Sequence, residues 1–285
     1  MNEMKEKVCI VTGSNSGIGK ETVLALARMS ALVVMVARNP ERGEKARAEI
    51  INQTGSNSVD LMTCDMSSMG SIRHFAESFK QKYGRLDVLV NNAGALFGKR
   101  EITPEGFERT LAVDYLGPFF LIHQLLDLLK SSAPSRVINV TSGLHRSGKI
   151  DMDDLQSEKA FKGMRVYSNA KLMLLMFTYE LARRLEGTGV TVNAVEPGFV
   201  ATNLGRSSGS LRSAIMFKMV RPMQISAKKG AETSVYLASS EELGNVTGKC
   251  FTKKHETTTA TISYDQQLQK QLWTKTVDLL GLLPD

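Results

Sequence analysis

A chain of 285 residues, 42% of them hydrophobic, fills one large α/β core and leaves too little over for a second full domain. Its 36 Lys and Arg against 29 Asp and Glu give a formal net charge of +7, but no block of like charge stands out, which argues against a nucleic-acid partner. Cys9, Cys64 and Cys250 lack the spacing of a disulfide framework or zinc site, and with no signal-peptide core or 18-residue apolar span the expectation is a soluble, cytoplasmic protein without an integral membrane span.

Seven short, apolar, β-branched runs follow one another: 8–13 (VCIVTG), 31–37 (ALVVMVA), 59–64 (VDLMTC), 86–90 (LDVLV), 136–141 (RVINVT), 190–195 (VTVNAV) and 248–252 (GKCFT). They do not alternate apolar with polar, as strands buried on both faces need not, and helical stretches separate them. The prediction is an α/β fold: a single doubly wound (Rossmann) domain over residues 1–285, with a seven-stranded, mostly parallel sheet and helices on both faces. LGPFFLIHQLLDLL, from Leu116, reads as a buried helix, and Leu172, Leu175, Tyr179 and Ala182 share one face of a helix opening near Tyr167. Residues 204–226, rich in Ser, Arg and Met, have the composition of a flap. Residues 264–281 read as an amphipathic helix with Leu268, Leu272, Trp273, Val277 and Leu280 on its apolar side.

The first strand runs into TGSNSGIGKE, so Gly13, Gly17 and Gly19 fall where a strand turns into a helix. Positions without side chains let the backbone approach a pyrophosphate, and a helix N-terminus offers it free N–H groups and a partial positive charge. Gly13, Ser14, Asn15, Ser16, Gly17, Ile18 and Gly19 are therefore the predicted phosphate-binding turn of a dinucleotide site. At the end of the second strand an acidic residue would bind a ribose 2′-hydroxyl and repel a 2′-phosphate; here the residues are Ala37-Arg38. Arg38 can pair with that phosphate, and no carboxylate follows until Glu41, which points to NADP(H); a surface arginine capping the next helix is the alternative. Asn91-Asn92-Ala93-Gly94 directly follow a strand, small residues where backbone either touches a ligand or simply turns.

In chain order, TGSNSGIG, Asp65 after the third strand, NNAG at 91–94, the Ser142 segment, YSNAK at 167–171 and EPGFVAT at 196–202 closely resemble the short-chain dehydrogenase/reductase superfamily, in its single-domain branch and over nearly the whole chain. The stretch GKIDMDDLQSEKAF at 148–161 and the setting of YSNAK resemble its retinol-dehydrogenase-like group, which acts on retinoids and other lipophilic carbonyls. The resemblance implies hydride transfer between a nicotinamide and a small-molecule carbonyl or alcohol. It further implies that Asp65 and Met66 border the adenine and that Asn92, Ala93 and Gly94 pass beneath the cofactor. In EPGFVAT, Pro197, Gly198 and Val200 join the cofactor site and Thr202 holds the nicotinamide amide. A homodimer or homotetramer, through helices around 116–130 and 167–186, is implied too.

Tyr167 and Lys171 are four positions apart, which on a helix puts both side chains on one face. A free tyrosine, with a pKa of about 10, is a poor base at neutral pH, but positive charge from Lys171 and an oxidised nicotinamide favours its phenolate. Tyr167 is thus the expected acid/base residue. Ser142, at the end of a strand, can hydrogen-bond the substrate oxygen; the resemblance selects it over Thr141.

Two features depart from the family pattern. Asp114, in LAVDYLG, stands where the family usually has an asparagine that anchors a proton-relay water, and its charge near Lys171 is expected to alter the relay and the tyrosine's pKa. No N-terminal membrane helix of the kind many retinol-dehydrogenase-like members carry is expected here, which sets a membrane-delivered retinoid in question, although Leu204, Leu211, Ile215, Met216, Phe217 and Met219 supply apolar surface to the flap. The rival reading is an NADPH-binding sensor without turnover. No metal site is expected, because His74, His123, His145 and His255 lie far apart without ligand spacing.

Overall fold

The computed structural model describes residues 4–200 and 224–283. Among these described residues eight strands form one sheet: β1 (Val8–Thr12), β2 (Leu32–Ala37), β3 (Val59–Thr63), β4 (Val88–Asn91), β5 (Ser135–Val140), β6 (Val190–Val195), β7 (Cys250–Thr252) and β8 (His255–Glu256). Their order is β3-β2-β1-β4-β5-β6-β7-β8, parallel throughout except that β8 returns antiparallel on β7. The eighth strand corrects the expected seven. It is two residues long, and its turn uses Lys253 and Lys254 at φ 49° and 68°, a left-handed pair that sequence rules look for as Asn-Gly or Asp-Gly.

Among the described residues, seven helices cover the sheet: α1 (Gly17–Arg28), α2 (Pro40–Thr54), α3 (Met69–Lys82), α4 (Arg109–Ser131), α5 (Gly163–Arg184), α6 (Ala227–Ser239) and α7 (Gln266–Leu279). Successive strand residues point to opposite faces, so each strand feeds two cores. Ile10 and Val34 join the layer of α3, α4, α5 and α7, while Cys9, Val11, Val33 and Met35 join that of α1, α2 and α6. Each fully buried apolar side chain contributes roughly 1.5–3 kcal/mol, and both faces consume them, which is why the strands read as continuous apolar runs.

Two helices differ from their predicted form. α4 begins at Arg109, before the predicted Leu116, because the Glu108 carboxylate accepts the N–H groups of Thr110 and Leu111 (2.9 and 2.7 Å) and caps an earlier turn. It then passes through a π-helical stretch, Ala112–Leu116, into its apolar half. α4 is long and apolar enough to cross a membrane, yet 72% of its apolar window is buried inside the protein, as befits a core helix. α5 opens four residues before Tyr167 and is buried all round, Val166 to Ala182 with Asn169 half-buried, not on the single face expected. α7 lies against α4 and α5, with Trp273 stacked at 5.7 Å on Phe177 and Tyr115 Oη 2.7 Å from Thr276 Oγ1.

The chain leaves β1 for β2 and β3 on one side and returns to β4 on the other. The carboxyl ends of β1 and β4 therefore border a crevice, the place where open parallel sheets bind ligands. The predicted flap at 204–226 lies outside the described residues except for its last three, where Ile225 pairs with Val200.

Candidate active site

At the carboxyl end of β1 the chain folds tightly over β4. Gly13 has φ +63°, and a Cβ there would lie 2.8 Å from Ala93 Cα; a Cβ on Gly19 would lie 2.6 Å from the Gly13 carbonyl oxygen. The Thr12 hydroxyl accepts the N–H groups of both Asn92 and Ala93 at 3.0 Å, and Asn92 Nδ2 donates to Thr12 O at 2.8 Å. Thr12 is thus a clamp between β1 and the NNAG turn that the motif reading missed; its partners lie 80 residues away. The Ser16 side chain makes no capping bond, so the first N–H groups of α1 stay available, and the backbone cradle fits a pyrophosphate.

Ser14 departs from the expected role. Its N–H and hydroxyl both point to the Val36 carbonyl (3.2 and 3.3 Å), and it is fully buried, so it braces the turn against β2 and is no free phosphate donor. Asn15 is half-buried beside it. Ile18 turns its side chain into a small apolar cluster with Val200 and Ala231, which ties the start of α1 to the segment after β6.

The other predicted cofactor residues sit along the same edge. Arg38 follows β2, is exposed, and pairs with no described residue; the cap of α2 is Asn39, whose side chain accepts Arg42 N–H at 2.8 Å. Asp65 follows β3, with Oδ1 holding the N–H and hydroxyl of Ser67 (2.9 and 2.7 Å). The Met66 side chain is in the core, leaving its backbone to border a ligand. Asn92, Ala93 and Gly94 are half-buried after β4; Pro197 is half-buried and Gly198 exposed after β6. Thr202 lies outside the described residues.

β5 and α5 bring the predicted catalytic residues together. Thr141 is buried with its hydroxyl donating to the Lys171 carbonyl at 3.0 Å, which leaves the half-buried Ser142 as the available hydroxyl. Lys171 is 3% exposed, its Nζ 5.6 Å from the centre of the Tyr167 ring and donating to the Val140 carbonyl at 3.1 Å. The same Nζ is 2.9 Å from Oδ1 of Asp114, which is fully buried and whose Oδ2 accepts the Ala95 N–H at 3.1 Å. The π-helical stretch that carries Asp114 inserts an extra residue into α4 where it faces α5, as such bulges often do at functional sites.

The electrostatics correct one expectation. Burial pushes the Tyr167 phenol above its ordinary range; Lys171 pulls it down, Asp114 pushes it further up, and the Ser142 hydroxyl favours the phenolate. Lys171 alone therefore does not poise Tyr167 as a base in the free protein, because burial of the phenol outweighs its pull and Asp114 adds to the burial. Burial also raises the Asp114 carboxyl, against the opposing pull of Lys171. Burial works against the charge on Lys171, but Asp114 and Tyr167 outweigh it and hold its pKa above the ordinary lysine value. Asp114→Asn removes the carboxylate that disfavours the phenolate, while its amide keeps the side chain's shape and an acceptor oxygen beside Lys171 and the Ala95 N–H. The variant is expected to remain active, with the alkaline rise of alcohol oxidation moved to lower pH; an unmoved pH profile or total loss of turnover would contradict this placement.

A dinucleotide cradle beside a serine, a tyrosine and a buried lysine at the carboxyl edge of a parallel sheet is the architecture of an oxidoreductase acting on CH–OH or C=O groups. The short chain dehydrogenase family model matches residues 7–212, and the chain belongs to that family. It is similar to retinol dehydrogenase 13 from Homo sapiens, 40% identical over 281 residues, 97% of this chain and 85% of that protein. Among solved structures it resembles the Pseudomonas aeruginosa RhlG/NADP active-site complex (TM-score 0.70, 25% identity, 88% of this chain and 96% of that one). It also shares the fold of 3-ketoacyl-(acyl-carrier-protein) reductase from Brucella melitensis complexed with NADH (TM-score 0.66, 23% identity, 87% and 96%).

Proposed function

We propose that the protein is an NADP(H)-dependent oxidoreductase that interconverts the carbonyl and alcohol of a lipophilic small molecule. The observation that carries this reading is Tyr167 beside the buried Lys171 and Ser142, two strands along the sheet from the glycine turn after β1. When bound, the nicotinamide supplies or accepts the hydride. In reduction, Ser142 donates a hydrogen bond to the carbonyl oxygen and Tyr167 delivers its proton there; in oxidation, Tyr167 takes the alcohol proton back. The raised pKa of Tyr167 keeps it protonated and suits it to the reductive role near neutral pH.

Solved relatives of this fold hold either NADP or NADH, so the choice turns on Arg38, an exposed cation at the end of β2 that pairs with no described residue. A lipophilic substrate is supported by the similarity to a retinol dehydrogenase and by three apolar side chains near the reacting groups in the chain. Leu144 is 41% exposed just past Ser142, Met164 42% exposed one turn before Tyr167, and Phe199 48% exposed beyond Pro197. The sensor alternative draws on the Asp114 carboxylate, which pairs with Lys171 at 2.9 Å and opposes its pull on Tyr167.

Fluorescence titration with NADPH and NADH, followed by turnover on all-trans-retinal and a panel of aliphatic and aromatic aldehydes, tests the proposal. Tight NADPH binding with carbonyl turnover supports it; tight binding without turnover on any carbonyl favours the sensor. Arg38→Asp is expected to weaken NADPH about 10- to 100-fold through loss of a charge-assisted pair and gain of repulsion, while NADH binding is retained. Equal losses for the two nucleotides would remove Arg38 from the 2′-phosphate.

A further inference from the structure

The turn that follows Ser142 is held by a side chain that the reaction does not use. His145 lies in the short 3-10 turn Gly143–Ser147 and is fully buried. Its Nδ1 is 2.8 Å from the Ser142 carbonyl oxygen and its Nε2 3.2 Å from the Ala260 nitrogen. A backbone N–H can only donate, so Nε2 is the acceptor; the neutral ring then carries its proton on Nδ1 and donates it to the Ser142 carbonyl. Burial lowers the pKa of the ring and so favours this neutral form.

Arg146 and Glu196 complete the knot. The Glu196 carboxylate lies 3.5 Å from His145 Nδ1 and accepts Arg146 Nη1 at 2.8 and 2.9 Å, and Arg146 Nη2 donates to the Thr258 carbonyl at 2.7 Å. Three distant stretches meet here: the Ser142 turn, the residue before Pro197, and the backbone at 258–260. An apolar residue at 145 would fill the same space but would leave the Ala260 N–H without this acceptor and free the Ser142 carbonyl from the ring.

We propose that His145 is a positioning residue. By clamping the Ser142 carbonyl it aims the Ser142 hydroxyl at the reacting oxygen, and through Ala260 it makes the stretch after β8 part of the active-site scaffold. The inference rests on the reading of Ser142 as the group that holds that oxygen. Small displacements of such a group, on the order of 1 Å, cost up to about 100-fold in rate.

The test is steady-state carbonyl reduction, dinucleotide titration and thermal melting for Ser142→Ala, His145→Ala, His145→Asn, His145→Gln and Ala260→Pro. His145→Ala is expected to lower kcat about 10- to 100-fold, with KM for the carbonyl and dinucleotide affinity little changed. His145→Asn, whose amide nitrogen takes the place of Nδ1, recovers most of that loss; His145→Gln, which reaches only the place of Nε2, does not. Ala260 has φ −56°, already suited to proline, so Ala260→Pro removes the N–H with His145 intact and is expected to lower kcat less than His145→Ala. Wild-type kcat in His145→Ala overturns the proposal, as does a loss shared alike by Ala, Asn and Gln that tracks their melting temperatures. If Ser142→Ala turns over like wild type, the reading of Ser142 itself fails; if Ser142→Ala is impaired and His145→Ala is not, only the positioning role falls.

Discussion

Replacing Tyr167 by Phe is expected to lower kcat by roughly 1000-fold while leaving dinucleotide binding and the melting temperature close to wild type, since positioned proton transfer contributes about 100- to 10,000-fold. The substitution deletes one hydroxyl and little else. Tyr167 is 6% exposed within α5, where Phe keeps the ring and its packing, and Lys171 keeps both Asp114 and the Val140 carbonyl. The phosphate cradle is built by Thr12, Gly13, Gly19 and Asn92, none of which touches the phenol. A fluorescence titration that retains its affinity beside a turnover assay that has lost its signal would assign the proton to Tyr167. Residual kcat within tenfold of wild type would move the proton donor elsewhere, and loss of binding in parallel would mean that the ring, not its hydroxyl, is what the site needs.

The features legible in the sequence are those set by local rules. Continuous apolar runs mark strands buried on both faces, and the glycines after β1 mark a turn that a Cβ would block. The spacing of Tyr167 and Lys171 marks one face of a helix, and α5 places them together. What escaped depends on distant partners. Ser14 looks like another small residue of the turn until β2 supplies the Val36 carbonyl that takes its hydroxyl. Thr12 and His145 acquire roles only when Asn92 and Ala260, 80 and 115 residues away, arrive beside them. The π-helical stretch around Asp114 follows from how α4 meets α5, and no local propensity announces it. For the tyrosine's pKa, the lysine and the opposing Asp114 carboxylate are both visible in the sequence, whereas burial, the largest influence on the phenol, comes only from the assembled core.

Lys171→Met is expected to cost about 3–5 kcal/mol of stability at neutral pH, because it strands a buried carboxylate without its ammonium. Asp114 is fully buried and retains the Ala95 N–H, which does not replace a full charge 2.9 Å away. Its pKa is already raised by burial against the pull of Lys171, so removing that pull raises it further. The sign of the pH dependence follows. An aspartate whose pKa is higher folded than unfolded binds more protons in the folded state, so its contribution is intact below the unfolded value of about 3.9 and is lost as pH rises through the folded pKa. Relative to wild type, Lys171→Met should therefore lose stability progressively between pH 5 and pH 8. Asp114→Asn in the same chain removes the stranded charge and should recover most of the loss and flatten the pH dependence, without restoring turnover. Urea unfolding of wild type, single variant and double variant at the two pH values measures this. If the double variant is no more stable than Lys171→Met at pH 8, the cost lies in the lost methylene packing and the Val140 contact, not in Asp114. If it is more stable, the cost of Lys171→Met lies in the stranded Asp114 carboxylate, which Lys171 answers in the wild type from 2.9 Å away.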